Sequence, residues 1–129
     1  MTVELRMLFW AVLIGLAQML ATGIATTAQR GLSHSASARD DSPGPLEGVG
    51  GRVQRAFANF METFPFFAAA VLAGHALGRH GAATEWGATV YLWARIAYWP
   101  LYVAGVPWVR SLVWAASLAG IVLILWGIA

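Results

Sequence analysis

The sequence contains neither cysteine nor lysine. Without cysteine there is no disulfide, no thiolate metal site and no cysteine nucleophile, so any thiol chemistry must arrive with a ligand. Charge is scarce as well: 11% of residues are charged, against roughly 25% in an average soluble domain. All eight basic residues are arginine and the net charge is only +2. Most of them fall near the ends of apolar segments rather than along one face, which argues against a nucleic-acid partner. Histidine is thinly spread, and His34 stands among serines with no second ligand nearby, so no metal site is expected. What is abundant is apolar: 59% of the 129 residues are hydrophobic, with 14 Gly and seven Trp. That balance suits close helix packing and interfacial aromatic belts in a single membrane domain spanning residues 1–129.

Hydropathy and punctuation divide the chain into four apolar helices at about 5–28, 52–79, 83–104 and 107–128. Each is long enough for a hydrocarbon core of roughly 30 Å. The first run exceeds the apolar stretch of about 7–15 residues in a secretory signal, and Glu4 and Arg6 cancel ahead of it, so it reads as a span. Residues 29–51 are rich in Ser, Gly, Pro and charge and read as a solvated loop, with Arg39, Asp40 and Asp41 as local caps. Pro65 and Pro100 interrupt the second and third helices. Gly74 and Gly78 form a GxxxG packing signal, and Gly105-Val106-Pro107 is a tight turn between the last two helices. The expected fold is an all-α, integral membrane four-helix bundle.

Two polar stripes run through these helices. Arg55, Asn59 and Glu62 fall within about 60° of each other on the second helix. Arg95 lies in the middle of the third, with Tyr91, Tyr98 and Tyr102 within about 60° of it. An ionised residue at mid-membrane costs about 2.5–3.5 kcal/mol, so such stripes face protein or water rather than lipid. Arg95 is expected to reach Glu62, giving either a buried network that fixes helix register or a pocket for a ligand bearing charges of both signs. Arginines suit carboxylates, Glu62 an ammonium group, and Tyr98 and Tyr102 offer hydroxyls. The arginine distribution places the first and third loops in the cytoplasm and both termini outside, in an inner or plasma membrane.

The segments RVQRAFANFMETFP, VYLWARIAYWPLY and PWVRS together resemble the MAPEG family, the membrane-associated proteins of eicosanoid and glutathione metabolism, and within it the small prokaryotic branch. The resemblance implies a homotrimer with glutathione, as cosubstrate, held between neighbouring subunits. Arg55, Asn59 and Glu62 match glutathione-holding positions, Tyr98 and Tyr102 match ligand contacts on the third helix, and Arg95 beside them is expected among the glutathione-binding residues. Arg110 matches an arginine that stabilises the thiolate, Ser111 a serine proposed for thiol activation, and Arg30 an arginine that reaches across from the adjacent subunit. Phe57, Ala58 and Trp114 depart from the pattern of the eicosanoid-forming members. The implied activity is glutathione transfer to, or peroxidase action on, a small hydrophobic electrophile or lipid hydroperoxide. The alternative is a non-catalytic protein of the same fold that binds membrane lipids or serves as a scaffold.

Overall fold

In the computed structural model, residues 1–38, 40 and 44–129 are described, and they form five helices and no strand. These are α1 (Val3–Arg30), α2 (Leu32–Ala36), α3 (Gly48–Ala76), α4 (Ala82–Val103) and α5 (Pro107–Ile128). Three of the four long helices, α1, α3 and α5, are long and apolar enough to cross a membrane. The fourth, α4, has comparable length but carries Glu85 and Arg95. The outward surface is greasy, with Leu20, Ile24, Trp108 and Trp126 all more than half exposed. The interior is small and dense. Ala11, Phe67, Val71, Ala88, Tyr91 and Ile124 form one buried cluster drawn from all four long helices.

The described part of the segment read as the first loop holds more helix than its composition implies. It carries the short α2, and α3 begins at Gly48, four residues ahead of the expected start. The Gln29 side chain explains this start. Its Nε2 donates to the Glu47 carbonyl at 2.9 Å, and its Oε1 accepts from the Glu47 amide at 3.0 Å. The residue before the helix is thus clamped to the end of α1, and the following glycines are needed for space. A Cβ at Gly51 would lie 2.3 Å from the Leu46 carbonyl oxygen, where only glycine avoids a backbone clash. Of the residues expected to cap this loop, Arg39 and Asp41 lie outside the described residues.

The GxxxG reading of Gly74 and Gly78 needs correction. Gly74 packs inward, but α3 has already ended at Ala76, and Gly78 takes φ +64°. Gly78 N–H donates to His75 O at 3.1 Å and Arg79 N–H to Gly74 O at 2.9 Å. This is the paired termination that left-handed glycine permits, so Gly78 closes a helix and does not pack one. The close glycine contact lies elsewhere, between Gly87 of α4 and Gly120 of α5. A Cβ on either would sit 2.6 Å from the other's carbonyl oxygen. The two backbones touch, and α4 and α5 form the most extensive helix pair of the fold. Pro107 opens α5 at its first turn, after Gly105 has closed α4.

Candidate functional site

The two polar stripes do not meet as their spacing suggests. Arg95 is 2% exposed, and its Nη2 donates to Asn59 Oδ1 at 3.0 Å. Among the described residues Arg95 and Glu62 form no ion pair, so the expected Arg95–Glu62 bridge gives way to an arginine–amide contact. The reason is register: Asn59 lies one turn ahead of Glu62 on α3 and takes the position facing α4. Arg95 is further held by aromatic faces, its guanidinium carbon 4.4 Å from the Tyr98 ring centre and 5.6 Å from that of Phe60. Cation–π attraction of this kind offsets part of the desolvation of a buried guanidinium.

Tyr91 leaves the stripe for the core. It is fully buried, stacked on Phe67 at 3.9 Å between ring centres, and bonded through its hydroxyl to Thr63 Oγ1 at 2.9 Å. Tyr98 and Tyr102 remain together, their rings 5.6 Å apart. Tyr102 joins two helices: its hydroxyl accepts from Arg55 Nε at 3.3 Å, and Arg110 of α5 lies 4.7 Å above its ring. Arg110 is thereby fixed over the cleft although no carboxylate pairs with it among the described residues.

Asn59, Tyr98, Tyr102, Arg110, Ser111 and Trp114 line a cleft of about 270 Å³ where α3, α4 and α5 converge. Ser111 donates its hydroxyl to Pro107 O at 3.3 Å, which leaves its oxygen lone pairs for the cleft. Beyond Trp114 lies a larger groove of about 660 Å³ between α3 and α5, walled by Phe66, Ala69, Leu118 and Val122 with Glu62 at its edge. Trp114 lines both spaces, so a polar cleft and an apolar groove share one wall. The sequence signal for Trp114 was present: it stands four residues after Arg110 and therefore on the same face of α5.

Arg55 and Glu62 are exposed on the single chain, although they occupy a membrane-length helix. Glu62 makes no hydrogen bond or ion pair among the described residues. Arg30 sits at the end of α1 and does not line the cleft of its own chain.

A bundle of long apolar helices, with one buried arginine and a cluster of arginines and tyrosines opening beside a lipid-sized groove, defines a small integral membrane protein. Residues 7–129 match the family described as the MAPEG family. The chain belongs to that family. None of the curated proteins compared with the chain matches it.

Proposed function

We propose that the protein binds glutathione and directs its thiolate against an apolar electrophile or lipid hydroperoxide presented from the bilayer. The observation that carries this reading is the shared Trp114 wall between the arginine–tyrosine cleft and the apolar groove. A charged thiol and a greasy partner can then approach each other from adjoining spaces. The chain supplies no thiol of its own, and its cationic and hydroxyl groups suit the carboxylates of a small peptide. Exposed Glu62 suits the ammonium group of the same ligand.

The cleft falls just below the roughly 300 Å³ of ordinary small-molecule sites, and Arg55 and Glu62 are left uncovered on one chain. Both facts support a homotrimer in which a neighbour completes the site, with its Arg30 closing over the ligand. In this arrangement α4 is the fourth span and residues 1–129 form one transmembrane domain. The first and third loops then face the cytoplasm with the cleft, and both termini lie outside.

In the reaction, the Arg110 guanidinium lies beside the sulfur and favours thiolate over thiol, each pKa unit of lowering corresponding to about 1.4 kcal/mol. Ser111 accepts the S–H hydrogen bond before the proton leaves to solvent. Arg55, Asn59, Tyr98 and Tyr102 orient the peptide, and Arg95 acts from behind the cleft by holding the Asn59 amide. With an electrophilic carbon the sulfur lone pair forms a C–S bond as the leaving group departs. With a hydroperoxide two thiols become a disulfide while the peroxide becomes an alcohol and water. The size of the apolar groove also favours a second reading, a lipid binder without catalysis.

Calorimetry with glutathione, followed alongside by thiolate absorbance near the ultraviolet edge, separates the two. Glutathione binding with a thiolate signal that falls about tenfold in Arg110→Ala supports the enzyme. Absence of binding at millimolar glutathione refutes it and leaves the lipid binder.

A further inference from the structure

A second cavity lies on the other side of α4 from the arginine–tyrosine cleft. It occupies about 220 Å³ between α1 and α4, and Gln18, Arg95 and Trp99 bring the only polar groups to its wall. The remaining wall is aliphatic, including Ile14, Ala17 and Ile96. Gln18 brings an amide with both an acceptor and donors, but the buried polar atoms left unpaired here are all donors. Arg95 Nε and Nη1 and Trp99 Nε1 are all buried without a hydrogen-bond partner. Nε carries one N–H and Nη1 two, so three of the five donors of the guanidinium are unused. The indole N–H adds a fourth donor, and indole has no acceptor to offer in return.

A fully buried cation whose one hydrogen-bonding partner among the described residues is the neutral Asn59, with Glu62 acting on it only at a distance, lacks the direct ion pairing that buried charges require. Glu62, the nearest candidate by sequence, forms no bond with it. The missing component is therefore an anionic acceptor on the α1 side. Position selects its class. Arg95 stands eight residues before the end of α4, about 12 Å along the axis, which is deep for a headgroup that stays hydrated. Ala17 and Ile96 are exposed on the outer face, so the cavity opens sideways between α1 and α4 and not toward either helix end. An anion reaching it from that side must be carried on an apolar chain.

We propose that the cavity between α1 and α4 is a binding site for the carboxylate of a single-chain amphiphile, a free fatty acid being the simplest, entering laterally from the bilayer. Arg95 and Trp99 donate to the carboxylate, and the chain lies along the aliphatic groove. Asn59 connects this site to the first cleft, because the guanidinium that takes the carboxylate also holds the amide lining that cleft. The proposal stands independently of glutathione binding.

The test uses the full chain in fatty-acid-free nanodiscs, with radiolabelled palmitate and hexadecanol as matched probes. Saturable palmitate binding that hexadecanol fails to displace is the expected result. Trp99→Phe keeps an aromatic side chain but removes the indole N–H, one donor to a charged acceptor, and is expected to weaken palmitate about tenfold. Ala17→Leu fills the mouth of the cavity without touching Arg95, and is expected to abolish saturable binding. Arg95→Gln is informative where it folds; the other two variants decide the matter without it. Equal retention of hexadecanol, palmitate binding unchanged in both Trp99→Phe and Ala17→Leu, or displacement of palmitate by chloride alone would each overturn the proposal.

Discussion

The Gly87–Gly120 seam makes a prediction in which one chemical change has opposite effects at two sites. Adding a methyl group to Gly120 places a Cβ 2.6 Å from the Gly87 carbonyl oxygen and 2.9 Å from the Tyr91 amide nitrogen. Both obstacles are backbone atoms, so no rotamer change relieves them. The helices must separate by several tenths of an ångström. Tyr91 moves with α4, and with it the Phe67 stack and the Thr63 bond. Overpacking of this kind costs about 1–3 kcal/mol. Because both clashes are with backbone, the upper part of that range applies, about 2–3 kcal/mol. The higher helix propensity of alanine returns about 0.5–1 kcal/mol, for a net loss of about 1–2.5 kcal/mol. Gly23 lies inside α1 with nothing within 4 Å of its added Cβ. There the propensity gain is unopposed, and Gly23→Ala stabilises by up to about 1 kcal/mol. Reversible unfolding in mixed micelles, read by tryptophan fluorescence, measures both. If Gly120→Ala proves as stable as the parent protein, the backbones are not in contact and the account of α4–α5 packing fails.

Asn59→Leu removes the one hydrogen-bonding partner of Arg95 and is expected to cost about 1.5–3 kcal/mol, the weight of a bond to a charged group; the same micellar titration reports it. Tyr91→Phe keeps the ring on Phe67 but loses the hydroxyl bond to Thr63, a loss of about 1 kcal/mol. Thr63 retains its bond to Phe60 O at 3.2 Å, which limits the damage, and a loss above about 3 kcal/mol would contradict that reading. Gln29→Ala releases both bonds that clamp Glu47. Limited proteolysis should then cut the segment between α1 and α3 faster, while the remainder of the chain stays protected.

Much of the fold was legible because membrane helices announce themselves by length and apolarity. The tight turn at Gly105-Val106-Pro107 could also be read locally, since glycine closes and proline opens a helix at neighbouring positions. The early start of α3 could not. Val49, Gly50 and Gly51 are poor helix formers, and the clamp that fixes them comes from Gln29, eighteen residues before Glu47. The GxxxG pattern misled for the same reason that makes it weak: spacing alone does not distinguish a packing glycine from a terminating one. Gly87 and Gly120 lie on different helices, and no local pattern pairs them.

At the site, helical arithmetic placed Arg55, Asn59 and Glu62 on one face, but it could not say which residue would meet Arg95. That choice depends on the axial offset between α3 and α4, set by core contacts such as Tyr91 with Thr63. The stripe on α4 likewise divides by depth, with Tyr91 taken into the core while Tyr98 and Tyr102 stay at the cleft. Gln18 is a single amide in an apolar run, and no local pattern pairs it with Arg95 and Trp99, beside which the fold places it.

The pairing of α4 with α5 also bears on the order of biosynthesis. Translation delivers α1 and α3 before α4, so Asn59 is already made when Arg95 emerges. The helix that α4 leans on most closely comes last. Until then Gly87 presents an open strip of backbone, and the face carrying Ala88 and Tyr91 is only partly covered. Synthesis of α5 closes that strip, so α4 gains its closest neighbour only after it has itself been made.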